Sequence, residues 1–139
     1  MRFVIALAMI LAASVTAADP AVLSAVNAER GAQNRAPLVY DAKLEAQAQA
    51  HAQDMAVAGF FSHTGSDGSD IGQRLARAGY RYCFGAENIA AGQRSLAEVM
   101  AGWMASPGHR RNILHRRAAA VGVARAPGNL WVMVLAAPC

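Results

Sequence analysis

The sequence predicts an α+β domain, because segments of helical pattern fill most of the chain and two β-prone runs close it. The closing runs, 119–125 and 130–136, flank Pro127-Gly128-Asn129, a turn triplet that makes them an antiparallel hairpin. No internal repeat, low-complexity linker or composition break divides the chain, so one domain is expected over 19–139. About 120 residues suffice for one real core.

Residues 1–18 stand apart from that domain. Met1-Arg2 is a positive start, 3–13 is almost purely apolar, and Ser14-Val15-Thr16-Ala17-Ala18 offers the small residues of a signal-peptidase site. The apolar run is shorter than the roughly 20 residues a membrane-spanning helix needs. A cleaved signal peptide is therefore expected, with a secreted or periplasmic mature chain that starts near Ala18 or Asp19 and spans no membrane. Cys83 and Cys139 form an even pair, which in an exported protein reads as one disulfide tying down the last residue.

The elements follow in order. Residues 20–33 are helical in pattern, with Val22, Val26 and Glu29-Arg30 spaced by turns, and 34–40 is a connector that Pro37 keeps from continuing the helix. Asp41 caps a long Ala-rich helix to Ala58, closed by Gly59. Its apolar stripe is Leu44, Ala48, His51 and Met55, so His51 reads as a hydrogen-bonded core histidine. Ser69 or Asp70 caps a short helix through Ala78. The mixed aromatic and small residues of 80–91 read as extended. Ser95 starts a helix carrying Leu96, Val99, Met100 and Trp103, Pro107-Gly108 interrupts it, and a further turn is expected over 110–114.

The chain carries 13 Lys and Arg against 9 Asp and Glu, a formal charge of +4. Arg110, Arg111, Arg116 and Arg117 cluster with His109 and His115. The plainest reading is a solvated basic face with His115 exposed; an anionic lipid or wall polymer is the functional alternative. Export argues against nucleic acid. His63 lies at a helix exit, Glu87 on an extended segment and His109 at a helix break, all next to loops where sites form. HExxH, GxSxG and a glycine-rich phosphate loop are absent from the sequence. Asp67-Gly68-Ser69-Asp70 lacks the ligand series of a calcium loop.

Four blocks carry a resemblance: Asn27-x-x-Arg30, Phe61-Ser62-His63, Glu87-Asn88-Ile89, and the stretch from Trp103 through Ser106, Pro107, Gly108 and His109 to Leu114. In this order and spacing the chain resembles the CAP superfamily, also called the SCP or sperm-coating-protein-like domain, in its small secreted bacterial branch. The resemblance implies a three-layer α/β/α sandwich with a central antiparallel sheet. It also implies a cleft whose histidines fall on His63 and His109 and whose first glutamate falls on Glu87. A second acidic position of the family falls on Ser106, so one carboxylate is missing. Asn27 and Arg30 fall on positions that hold loops.

Two histidines and one carboxylate suit Zn²⁺ or another divalent cation with an open fourth position. Two functions follow from the resemblance. The favoured one is a monomeric, non-enzymatic binding module for a lipid, a sterol or a cell-envelope component. The alternative is a zinc-assisted hydrolase in the same cleft, disfavoured because the missing acid leaves no evident proton shuttle. No catalytic residue is assigned.

Overall fold

A computed structural model describes residues 19–139; the signal-peptide reading of 1–18 lies outside the described residues. Helix α1 (Pro20–Ala32) starts where Asp19 accepts from the Ala21 amide and Pro20 takes the first position, which needs no amide donor. Strand β1 is only Val39–Tyr40. Helix α2 (Ala42–Ala58) is capped by Asp41 and ended by left-handed Gly59, as its sequence implies. A full capping box between Asp70 and Gln73 starts α3 (Ile71–Arg77), which selects Asp70 over Ser69 as the cap.

Strand β2 (Tyr82–Ala91) begins two residues after the expected start. Ser95 caps α4 (Leu96–Ala105), and α5 (Pro107–Ile113) starts at the proline itself, three residues before the expected turn. Pro107 breaks one helix yet opens the next, because the first turn of a helix tolerates a missing amide. Strands β3 (Ala120–Ala126) and β4 (Leu130–Pro138) form the expected hairpin.

The sheet order is β1-β3-β4-β2. Pairs β3–β4 and β2–β4 are antiparallel, but β1 lies parallel to β3 through Val39↔Ala120 and Tyr40↔Val121. The central sheet is antiparallel apart from this two-residue edge strand, which corrects the reading of 34–40 as plain connector. Two residues are too few to show a strand period, and their partner lies some eighty positions on.

Side chains alternate across the hairpin. Val121, Val123, Trp131, Met133 and Leu135 join Val22, Val26, Val99, Trp103 and Ile113 in one core, so α1, α4 and α5 cover that face. Ala120, Ala124, Val132, Val134 and Ala136 join Leu44, Ala48, Met55 and Leu75 in the other, under α2 and α3. This is the three-layer α/β/α sandwich. The second layer is thin because its residues are small. A β-carbon on Gly122 would come 2.2 Å from the Glu45 nitrogen and 2.4 Å from the Leu44 carbonyl carbon, so α2 rests its backbone on the sheet there.

Polar side chains fasten the periphery. Arg30, 1 % exposed, donates to the carbonyls of Ala36, Ile113 and His115, and Asn27 exchanges two bonds with the Leu38 backbone. Both hold loops, as the resemblance implies. His115 is half-buried rather than exposed: its ring stacks on Phe84 at 4.2 Å and its Nδ1 accepts from the Arg117 amide. Cys83 and Cys139 are bonded, and the Cys139 amide donates to the Arg81 carbonyl.

Gly122→Ala meets backbone that cannot swing aside, so a loss of about 2–3 kcal/mol and roughly 10 °C in Tm is expected by thermal melting. An unchanged Tm would show that α2 does not lie on the sheet there. The disulfide spans a sequence separation of 56. Replacing both cysteines by serine should cost about 4 kcal/mol in urea unfolding by the chain-entropy relation. Two reactive thiols in the denatured, unreduced wild type would mean the bond does not form.

Candidate functional site

The site lies on β2, an edge strand of the sheet. Glu87 pairs with Val134 and shares its face, so its carboxylate points into the α2–α3 layer, where its side chain is 2 % exposed. A buried carboxylate needs charged or hydrogen-bonding partners. Three elements supply them.

Gly59 ends α2, and the chain then runs through Phe60, Phe61 and Ser62 to His63. Nδ1 of His63 lies 2.9 Å from Glu87 Oε1, while the rest of that ring is open to solvent. The capping box starts α3, which carries Arg74 as its fourth residue. Its Nη2 donates to Glu87 Oε2 at 2.6 Å, and its Nη1 donates to the carbonyls of His63 and Ser69 at 2.8 and 2.9 Å. Arg74 thereby fastens the carboxylate and the histidine backbone together. From inside α2, His51 donates from Nε2 to the Ser62 carbonyl at 2.8 Å and stands 3.8 Å from Glu87 Oε1.

The other side of β2 is built differently. Asn88 pairs with Met133 and is fully buried toward α4 and α5. Its Nδ2 donates to the His109 carbonyl, and its Oδ1 accepts from Asn112, which also reaches the Glu87 carbonyl. This fixes the first turn of α5, and with it His109, against the strand. Burial holds the His109 ring below the usual histidine pKa, and the neighbouring His63 charge adds to this. Ser106 is the joint between α4 and α5: its amide donates to Trp103, its carbonyl accepts from Arg110, and its hydroxyl makes no cap.

The structure thus joins His63 to Glu87 by a hydrogen bond and holds His109 by its backbone from the opposite face. Among the described residues, no three His, Cys, Asp or Glu side chains are grouped so as to hold a metal ion. His51 and Arg74 belong to the cluster and were not expected there. The signal for Arg74 was indirect: a carboxylate on a buried strand calls for a cation, and spacing does not say which. His51 was placed correctly in the core, but its stripe gave no hint of the carboxylate beside it. Glu98 has a capping role, accepting from the Arg94 amide while its own amide donates to Ser95.

A second concavity lies on the far side of α5. It encloses about 800 Å³ and is lined by Arg35, Arg110, Arg111, His115 and Arg116 around Met104, Ala105, Pro107 and Leu114. Arg110, Arg111 and Arg116 of the sequence cluster thus line this groove, together with Arg35, whereas Arg117 donates to the Cys83 carbonyl.

Known proteins bear on both the fold and the family. The uncharacterised protein YkwD of Bacillus subtilis is 36 % identical over 119 residues, covering 85 % of this chain and 46 % of that protein. An extracellular protein containing an SCP domain from Bacillus anthracis superposes with a TM-score of 0.80 at 27 % identity, covering 84 % of this chain and 39 % of that one. An outer surface protein from Borrelia burgdorferi superposes at 0.78 with 22 % identity, covering 86 % and 91 %, and bears on the fold alone. The chain thus spans less than half the length of the two Bacillus proteins. The match to the family model extends over residues 23–135, and the chain belongs to CAP, the cysteine-rich secretory protein family.

Proposed function

We propose that this domain is an exported, non-enzymatic binding module of the cell envelope, and that its ligand is an anionic amphiphile held in the groove beside α5. The observation that carries this reading is the groove itself. Four arginines rim it, no acidic residue lines it, and Met104, Pro107 and Leu114 give it an apolar floor. Cations over apolar surface suit a phosphate- or carboxylate-bearing headgroup with hydrocarbon beneath it. The Bacillus anthracis protein is described as extracellular, which supports export.

In this reading the Glu87 cluster is a scaffold without metal. The donor set does not fit zinc as it stands, because one Glu87 oxygen is engaged by His63 and the other by Arg74.

Flotation with phosphatidylglycerol and phosphatidylcholine vesicles tests the groove. Binding to the anionic vesicles only is expected. Arg110→Ser, Arg111→Ser and Arg116→Ser should each weaken it about fivefold, from roughly 1 kcal/mol per cation at an anionic surface. Equal binding to both vesicles, or indifference to all three substitutions, would refute the reading. The scaffold makes a prediction about pH. The His109 pKa lies below its ordinary value of 6.5, so the unfolded chain takes up the proton at a higher pH than the folded one. His109 thus contributes stability in full above 6.5, and this is lost as pH falls below it. In thermal melts across that range, His109→Gln should show a shallower fall in Tm than the wild type. Identical slopes would place no titrating burden on His109.

A further inference from the structure

The disulfide stands at one end of the sheet, apart from the Glu87 cluster. Cys83 and Cys139 are both exposed, with their α-carbons 4.7 Å apart. The β2–β4 ladder runs out beside them. Tyr82 pairs with Pro138, which has no amide to donate, and a register shift between Tyr82 and Phe84 leaves Cys83 without a partner on β4. The Cys139 amide reaches across to the Arg81 carbonyl. The sulfur bridge thus sits where the ladder is weakest, and it can open without the inner strands separating.

Access and charge distinguish the two sulfurs. Cys139 lines a concavity of about 310 Å³ with Gly79, Tyr80, Arg81 and Tyr82, and Cys83 does not. No acidic residue lines it, and Lys43 Nζ donates to the Gly79 carbonyl at 3.2 Å, so Arg81 and Lys43 both stand at its wall. The species that cleaves a disulfide is a thiolate, an anion. A cationic wall without a carboxylate draws it toward Cys139. The sulfur expelled is then that of Cys83, a residue whose carbonyl already accepts from Arg117 Nη2 at 2.6 Å. A neighbouring guanidinium favours the departing thiolate.

The same corner fastens one wall of the groove beside α5. Phe84 stacks on the His115 ring at 4.2 Å, with 16° between the ring planes, and the Arg117 guanidinium lies 5.8 Å from the Phe84 ring. Arg30 holds the backbone of that turn separately, by donating to the His115 carbonyl. The His115 ring, which lines the groove, is therefore placed by Phe84. We infer that Cys83–Cys139 is a thiol–disulfide exchange site for a dithiol, attacked at Cys139, and that opening it frees Phe84 and loosens the His115 wall. The effect on ligand binding rests on the groove reading above. First, one thiolate of the dithiol bonds to Cys139 Sγ, the Cys83–Cys139 bond breaks, and Cys83 leaves as a thiolate that takes a proton from water. The second thiol, deprotonated, then attacks the dithiol's own sulfur and expels Cys139. The dithiol ends as a disulfide, and the protein gains two thiols.

The oxidised mature chain, treated with mercaptoethanol and quenched with iodoacetamide, reports the direction of attack. Mass spectrometry should find the mercaptoethanol adduct on Cys139 and the alkyl group on Cys83. Dithiothreitol should open the bond in native buffer at a rate that low urea does not raise. Arg81→Gln should slow the opening about threefold, the scale of an exposed charge contact. In ¹⁵N spectra the reduced chain should stay dispersed while the His115 ring and the Arg117 amide shift. Binding to phosphatidylglycerol vesicles should weaken about threefold on reduction, as for a lost aromatic pair. Phe84→Leu removes the stack with the disulfide intact, so it should weaken binding equally and make it insensitive to reduction. An adduct on Cys83, opening only at the rate of global unfolding, loss of dispersion on reduction, or an unmoved His115 ring would each overturn the exchange site. Vesicle binding that reduction leaves unchanged overturns its link to the groove. An oxidised chain that ignores anionic vesicles sinks the groove reading instead, and the adduct position and His115 signals still decide the exchange site.

Discussion

Glu87 is a carboxylate on an edge strand, turned inward beneath two helices, and the neighbouring elements take their places around it. An uncompensated ion in that layer would be severely destabilising, since breaking a buried pair by removing one partner typically costs about 3–5 kcal/mol. Arg74 answers it with a short contact and, through a second nitrogen, grips the backbone of His63 and Ser69. One guanidinium therefore links α3, the exit of α2 and the edge of the sheet. The capping box at Asp70 sets the start of the helix that carries Arg74, so a surface hydrogen bond controls the geometry of a buried one.

Adjacent positions of β2 serve opposite layers. Glu87 is fastened to α2 and α3, and Asn88 to α5, because successive strand residues face opposite sides. The motif Glu87-Asn88 thus works as a two-sided clasp, one half ionic and the other made of neutral amide bonds. The histidines that sequence resemblance pairs in one cleft arrive from these two different halves. His63 comes with the ionic half through its ring, and His109 comes with the amide half through its carbonyl.

Local signals were readable wherever one residue decides the outcome. Asp41, Gly59 and Ser95 mark helix ends that the structure reproduces, and Pro127-Gly128-Asn129 marks the hairpin. Trp103 and Trp131 are core, as large aromatics usually are. Strand β1 was not readable, because its two residues are a strand only by virtue of Ala120 and Val121 beside them. Pro107 misled for a related reason: the same proline that forbids a helix interior favours a helix start, and tertiary context chooses. His63 and Glu87 were legible through the motif blocks, whereas the pairing of Arg74 with Glu87 depends on how α3 docks. Spacing within a helix reports which residues share a face, not what that face meets.

The sheet order also constrains the sequence of events in folding. The two inner strands, β3 and β4, are the last two elements along the chain, and the outer strands β1 and β2 are made well before them. Until β3 and β4 are available, β1 and β2 have no ladder to join, and α2 has no glycine-notched surface to rest on. The β1–β3 and β2–β4 pairings are long-range, which slows the search and makes their assembly a late event. A growing chain therefore carries its helices as unpartnered amphipathic segments until the closing hairpin arrives. That is the stage at which exposed apolar faces are most prone to aggregate.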